Sequence, residues 1–243
     1  VELVVLLHSS LSSSRQWRLL VDDYSGRFRF LPIDLIGYGI TPLPNSLETF
    51  GLDDELGSVE STLAGISEPF HLVGHSYGGA VALQFALRHP DRVRSVYAHE
   101  PVLFSLLRPE ESAEISEVRH GTIGAFFDYW SGEGAWLKLS EPRRREHESK
   151  ATKVELDFQA LFTDHVKLDR YRTLQMPVTI TVGELSPKPA RRVAELLGNV
   201  LKNGTVRILP GVGHMAPITH PQLVNKVIIS ALSKIGEIPY SKP

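Results

Sequence analysis

A chain of 243 residues, 42% hydrophobic and 22% charged, is long enough to bury a full core and fits one domain, or one domain carrying an insertion, rather than two. This composition excludes wholesale disorder and collagen-like or coiled-coil repeats, and a formal net charge of −2 supplies no field for gathering nucleic acid or an anionic membrane. Cysteine is absent, so disulfides, thiolate metal sites and thiol nucleophiles are excluded together.

The opening VELVVLLHSS is a short apolar stretch without a basic leader or a small-residue cleavage site. No apolar run approaches the roughly 18 residues of a membrane span, so a cytoplasmic protein is expected. Short β-branched runs then alternate with stretches of helical period. Leu3 to Leu7 predicts a strand and Arg15 to Asp22 a helix; Phe28 to Pro32 a strand and Leu52 to Ile66 a helix; Phe70 to Val73 a strand and Gly79 to Arg88 a helix. The alternation resumes with strands at Val93 to Ala98 and Val178 to Val182, a helix from about Ala190 to Leu197, a strand at Thr205 to Leu209 and a last helix from about Pro221 to Ile235. Such a pattern predicts an α/β fold: right-handed βαβ crossovers and a mostly parallel sheet with helices on both faces. Between Pro101 and Thr173 no matching strand occurs, and AEISEV, IGAFFDYW and VELDFQALF carry helical patterning. The expected organisation is a core of residues 1–100 and 174–243 with a helical insertion at 101–173. Within it Arg143, Arg144 and Arg145 beside Glu141, Glu146 and Glu148 read as a solvated helix face.

The stretch FHLVGHSYGGAVALQFALRHP runs from an apolar strand through Gly74-His75-Ser76-Tyr77-Gly78 into a helix. In a G-x-S-x-G turn the glycines permit a tight, strained bend that lifts the serine hydroxyl above the strand ends, and the helix N-terminus aims amides at nearby negative charge. Ser76 is therefore the candidate nucleophile; the plainer alternative is a strand-to-helix turn with serine as N-cap. Serine is a weak nucleophile at its own pKa and needs a base, which needs a partner to fix its tautomer. Of ten histidines, His214 fits best, on the Gly-rich loop LPGVGHMAP beyond the last strand. His71 lies in a strand, His75 within the turn, His89 before a helix-ending proline, His120, His147 and His165 in the insertion, and His220 at the start of the last helix.

Four segments in order resemble the α/β-hydrolase-fold family with a helical cap: LLHSSLSSSRQW, DLIGYGITPLP, GHSYGG and PGVGHMAPITHP. The resemblance implies a central sheet of that fold, with the amides of Ser10 and Tyr77 forming an oxyanion hole. His8-Ser9 stands where the family usually has His-Gly, and the family's first two strands have no counterpart, since Val1 already begins the strand leading to that loop. In most members the acid follows the strand equivalent to Val178 to Val182; here that loop reads Gly183-Glu184-Leu185-Ser186. An arrangement resembling that of haloalkane dehalogenases places a glutamate after the preceding core strand, where Glu100 stands, at a strand's C-terminal end one strand from Ser76. Glu100 is thus the candidate acid and Glu184 the alternative, with Asp157 or Asp164 in the insertion as further options. Asp34 resembles a residue that organises its own loop.

These residues together predict a serine hydrolase acting on a small-molecule ester, lactone or thioester through an acyl-enzyme. Phe126, Phe127, Tyr129, Trp130 and Trp136 are available to line a pocket, though at helical spacing most of them are expected to pack inside the cap. The resemblance also admits C–C bond hydrolysis of a vinylogous diketone, or a non-catalytic ligand receptor; a halide-displacing enzyme needs Asp where Ser76 stands. No metal-binding H-E-x-x-H, dinucleotide or Walker-type loop is present, so no cofactor is expected.

Overall fold

The computed structural model describes residues 1–233. Six runs form strands: β1 (Leu3–Leu7), β2 (Arg29–Ile33), β3 (Phe70–His75), β4 (Val93–His99), β5 (Val178–Gly183) and β6 (Gly204–Leu209). They make one wholly parallel sheet in the order β2-β1-β3-β4-β5-β6. The helices, in chain order, are α1 (Arg18–Tyr24), α2 (Leu52–Thr62), α3 (Tyr77–Arg88), α4 (Pro109–Arg119), α5 (Ile123–Ser131), α6 (Ala135–Lys138), α7 (Glu141–Glu148), α8 (Ala151–Thr163), α9 (Lys188–Val200), α10 (Ala216–Thr219) and α11 (Pro221–Ser233). Lys234 and Ile235, included in the predicted last helix, lie outside the described residues, as does the core's predicted tail to Pro243.

The sequence LVVLL of β1 has no polar side and all of it is buried. Leaving either face in water would forfeit about 1.5–3 kcal/mol per Leu or Val side chain, so the strand demands cover on both sides. Alternate residues supply the two cores. Leu3, Val5 and Leu7 join Leu56 and Val59 of α2, Val81 and Phe85 of α3, and Val193 and Leu197 of α9. Val4 and Leu6 join Leu20 of α1 and Val224, Ile228 and Leu232 of α11.

Element boundaries move by a few residues for identifiable reasons. The predicted first helix opens as a 3-10 turn at Ser14–Trp17. Helix α2 stops at Thr62, short of Ile66, before Gly65, a residue costing a helix about 1 kcal/mol. β3 and β4 run on to His75 and His99, whose imidazoles are fully buried. Between β4 and β5 the chain forms no strand, only α4 to α8 and short 3-10 turns. The charged face of α7 is exposed and internally paired, Arg145 with Glu141 at 3.1 Å and Arg143 with Glu146 at 3.9 Å. Among the described residues no helix is long and apolar enough to cross a membrane.

The strand order fixes where chemistry can sit. From β1 the chain goes to β2 on one side, then crosses to β3 on the other. Loops leaving the carboxyl ends of β1 and β3 therefore diverge and open a crevice between them. Residues 8–11 and Ser76 lie there, and the ends of β4, β5 and β6 follow in order.

Candidate active site

Ser76 follows the last residue of β3 and precedes the first of α3, with φ +56° and ψ −117°. A non-glycine residue so placed costs about 1–3 kcal/mol and persists only where its surroundings enforce it. Here the Ser76 N–H donates to His99 O at 2.9 Å and the Gly78 N–H to His8 O at 3.1 Å, tying the turn to β4 and to the β1 loop. The flanking glycines make this approach possible: a Cβ on Gly74 would lie 2.4 Å from Gly78 O, and one on Gly78 2.4 Å from His8 O.

His214 lies on the loop after β6. Its Nε2 is 2.9 Å from Ser76 Oγ and its Nδ1 2.6 Å from Glu100 Oε2. A carboxylate only accepts, so Nδ1 carries the proton and Nε2 keeps the lone pair that accepts from the serine hydroxyl. The imidazole is 2% and the serine 7% exposed, so little water competes for these bonds. The loop itself is held by the Leu185 N–H donating to Val212 O at 2.9 Å, and by His75 Nε2–H donating to His214 O at 2.9 Å.

Glu100 immediately follows β4, at φ +47° and before a proline, a position where sterics ordinarily impose extended backbone. Its N–H donates to Thr181 O at 2.9 Å. Its Oε1 accepts from the Gly183 N–H at 2.7 Å and from Ser186 Oγ–H. Burial pushes the carboxyl up, but the facing His214 imidazole, its hydrogen bond, His99 and Ser186 outweigh this and hold it at about 2. Of the alternatives, Glu184 turns its carboxylate to the Gly211 N–H at 2.8 Å, away from the imidazole. Asp164 accepts from Gln84 Nε2 at 2.7 Å, and Asp157 is engaged by Lys153, Ser10 and Tyr38. Only Glu100 among these carboxylates meets His214.

The β1 loop turns without the glycine usual after its histidine. His8 Nδ1–H donates to Ser9 O at 2.7 Å and its Nε2 accepts the Leu35 N–H at 3.0 Å; burial holds this imidazole down at about 4, hence neutral. Gln16 Oε1 accepts from both the N–H and Oγ–H of Ser9, and the positive φ falls on Leu11 instead. Among the described residues neither the Ser10 nor the Tyr77 amide donates to a protein acceptor. The Tyr77 N–H is one of the unsatisfied donors at the start of α3, where the helix end is positive. Asp34 accepts the Ser14 N–H at 2.6 Å and the Ile40 N–H at 3.2 Å, an organiser of its own loop.

A narrow cavity opens on Ser76, walled by Val102, Phe104, Phe126, Trp130, Val154 and Phe158, with Ser10 and Asp157 as its other polar lining. Of the predicted aromatic set, Phe126 and Trp130 reach it. Phe127 and Trp136 instead pack against each other and His147. Trp130 also lies against His214, ring centroids 4.0 Å apart. Sequence reasoning missed this contact, the Ser186 donor and the pairing of Lys153 with Asp157. The last had a signal: opposite charges four apart inside the otherwise apolar pattern of α8. Among the described residues no group of three or more candidate ligands is arranged to hold a metal.

Comparison with known proteins finds relatives of this fold. The profile of the alpha/beta hydrolase family matches residues 4–227. Carboxylesterase YbfK of Bacillus subtilis is 26% identical over 242 residues, covering 94% of this chain and 79% of that protein. The 2-hydroxy-6-oxo-2,4-heptadienoate hydrolase of Pseudomonas putida is 33% identical over 95 residues, 37% of this chain and 34% of that one. The enol-lactonase from Burkholderia xenovorans superposes with a TM-score of 0.77 at 16% identity, covering 96% of this chain and 92% of that chain. Against several other curated relatives the match spans about a quarter of their length.

Proposed function

The chain belongs to the alpha/beta hydrolase family, and from that membership we propose that it is a serine hydrolase of small, uncharged ester, lactone or thioester substrates. The reading rests on one observation: the unbroken hydrogen-bonded row Ser76–His214–Glu100 at the carboxyl end of a parallel sheet. Ser76 Oγ attacks the substrate carbonyl carbon while its proton passes to His214 Nε2. The carbonyl π electrons move onto oxygen, where the amides of Ser10 and Tyr77 hold the oxyanion. Collapse restores the carbonyl and expels the alcohol or thiol, which takes the proton from His214. A water then repeats the sequence on the acyl-enzyme, releasing the acid and freeing Ser76. Glu100 keeps its charge throughout and stabilises the imidazolium. Residues 101–173 act as a cap over a core formed by 1–100 and 174–233, supplying most of the apolar cavity wall.

The cavity lining argues against the C–C hydrolase alternative. The Pseudomonas putida relative is named for a heptadienoate, a carboxylate, whereas the cavity here is lined by no Lys, Arg or His and by one carboxylate, Asp157. Lys153 behind it is committed to Asp157 and Glu55. An anionic acyl group would thus lose its hydration and meet like charge. The test compares p-nitrophenyl butyrate with the p-nitrophenyl half-ester of succinic acid in wild type and Ser76→Ala. Turnover that requires Ser76 and favours the neutral ester by about 100-fold supports the reading; equal or reversed preference contradicts the charge argument. Ligand binding without turnover would favour a receptor.

A further inference from the structure

Beside the Ser76 row lies a second buried polar cluster, which the reaction above does not use. Lys153 and Asp157, one turn apart on α8, and Glu55 on α2 are each no more than 2% exposed. Lys153 Nζ donates to Glu55 Oε1 at 2.8 Å and to Asp157 Oδ1. Asp157 Oδ2 accepts from Ser10 Oγ–H and from Tyr38 O–H, each at 2.6 Å. The Lys153 ammonium also stands 4.7 Å from the centre of the Tyr77 ring. The two residues whose amides are assigned to the oxyanion, Ser10 and Tyr77, both touch this cluster.

Buried ion pairs are poor glue, because desolvation offsets most of their attraction and apolar packing of similar volume holds as well. What this cluster supplies is direction. Ser10 sits in irregular backbone between Ser9, held by Gln16, and Leu11 at φ +56°. Its hydroxyl bond to Asp157 is the side-chain anchor of that residue. We propose that Asp157, held in place by Lys153, is a positioning residue: through Ser10 Oγ it fixes the aim of the Ser10 amide at the oxyanion. This inference rests on the serine-hydrolase reading. It also makes the oxyanion hole complete only when α8 is seated on the core.

The experiment compares wild type, Ser10→Ala, Asp157→Asn and the double variant. It measures kcat and KM on p-nitrophenyl butyrate, and inhibition by a trifluoromethyl ketone, whose serine adduct carries the oxyanion. Ser10→Ala removes the anchor but leaves the amide and the ion pairs, so it tests the proposal even where Asp157→Asn fails to fold. It is expected to lower kcat about 10- to 100-fold with KM changed less than about threefold, to weaken the ketone by a similar factor and to leave the melting temperature near wild type. Asp157→Asn should do the same to kcat, and the double variant should be no worse than the worse single one, because both act through one bond. Unchanged kcat and ketone affinity in Ser10→Ala, or multiplied losses in the double variant, would overturn the proposal. Fluorophosphonate labelling separates the two layers. A wild type that neither labels at Ser76 nor turns over overturns the hydrolase reading and this inference with it. A labelled, active wild type matched by Ser10→Ala overturns the positioning role alone.

Discussion

Replacing Glu100 by Gln alters the innermost group of the site while keeping its volume. The amide presents an NH₂ or a weaker acceptor where His214 Nδ1–H now meets a carboxylate oxygen at 2.6 Å. To keep a bond to that NH₂ the imidazole must move its proton to Nε2, which then donates toward Ser76 instead of accepting from it. Ser76 loses its base; the corresponding change in a Ser-His-Asp protease costs about 10⁴ in kcat, about 5.5 kcal/mol of barrier. Stability changes as well. The Glu100 carboxyl is held at about 2 against an ordinary 4.5, which makes the ionised form worth about 3 kcal/mol to the native state. A group with its folded pKa below the unfolded one contributes fully above pH 4.5 and loses that contribution as pH falls toward 2. Glu100→Gln should therefore unfold at lower urea concentration near neutral pH, yet lose less stability than wild type across that acid range. Steady-state ester hydrolysis and urea titrations at several pH values measure both effects, with Glu184→Gln as the active control. Retention of kcat within about tenfold of wild type would refute the claim that Glu100 fixes the imidazole.

Three other perturbations follow from the same geometry. His8 and His99 are buried neutral, each held by burial at about 4 against 6.5, and unfolding lets them bind protons. Wild-type stability should thus already fall between pH 6.5 and 4, by up to about 3 kcal/mol for each, read as a drop in the urea midpoint; a flat profile there would contradict their burial. Gly78→Ala puts a methyl 2.4 Å from His8 O, and the turn must shift, at a cost of about 1–3 kcal/mol visible as a lower melting temperature with loss of activity. Trp130→Ala removes the ring against His214 and a wall of the cavity. Stability should fall by about 3 kcal/mol and KM for apolar esters should rise, both measurable on the purified variant.

The sheet was legible because its strands are short, β-branched-rich runs separated by helical periods; β1 is apolar and buried on both faces, while the edge strands β2 and β6 are partly exposed. The Ser76 turn was legible because G-x-S-x-G between a strand and a helix answers a steric demand that few sequences meet; His214 followed from the need for a base on a loop near the strand ends. Glu100 was legible only as a choice among carboxylates. A residue whose partner lies 114 positions away leaves no local periodicity to read, and the geometry separates it from Glu184 by which one turns toward Nδ1. The fate of the aromatic residues at 126–136 was not legible residue by residue, because helical period gives a face and not the neighbour that face meets. Phe126 and Trp130, four apart on α5, reach the cavity, while Phe127 turns to Trp136. The cluster of Lys153, Asp157, Glu55 and Ser10 joins three regions of the chain, and apart from the Lys153–Asp157 pair, four residues apart on α8, its long-range contacts have no sequence period.

The most direct test mixes the protein with excess p-nitrophenyl butyrate, quenches with acid before steady state and digests for mass spectrometry. A stoichiometric burst of nitrophenol, with the butyryl mass on the peptide at Ser76 and absent from Ser76→Ala, is the predicted result. Sustained hydrolysis in which Ser76 is never acylated, or which survives its replacement by alanine, would contradict the account.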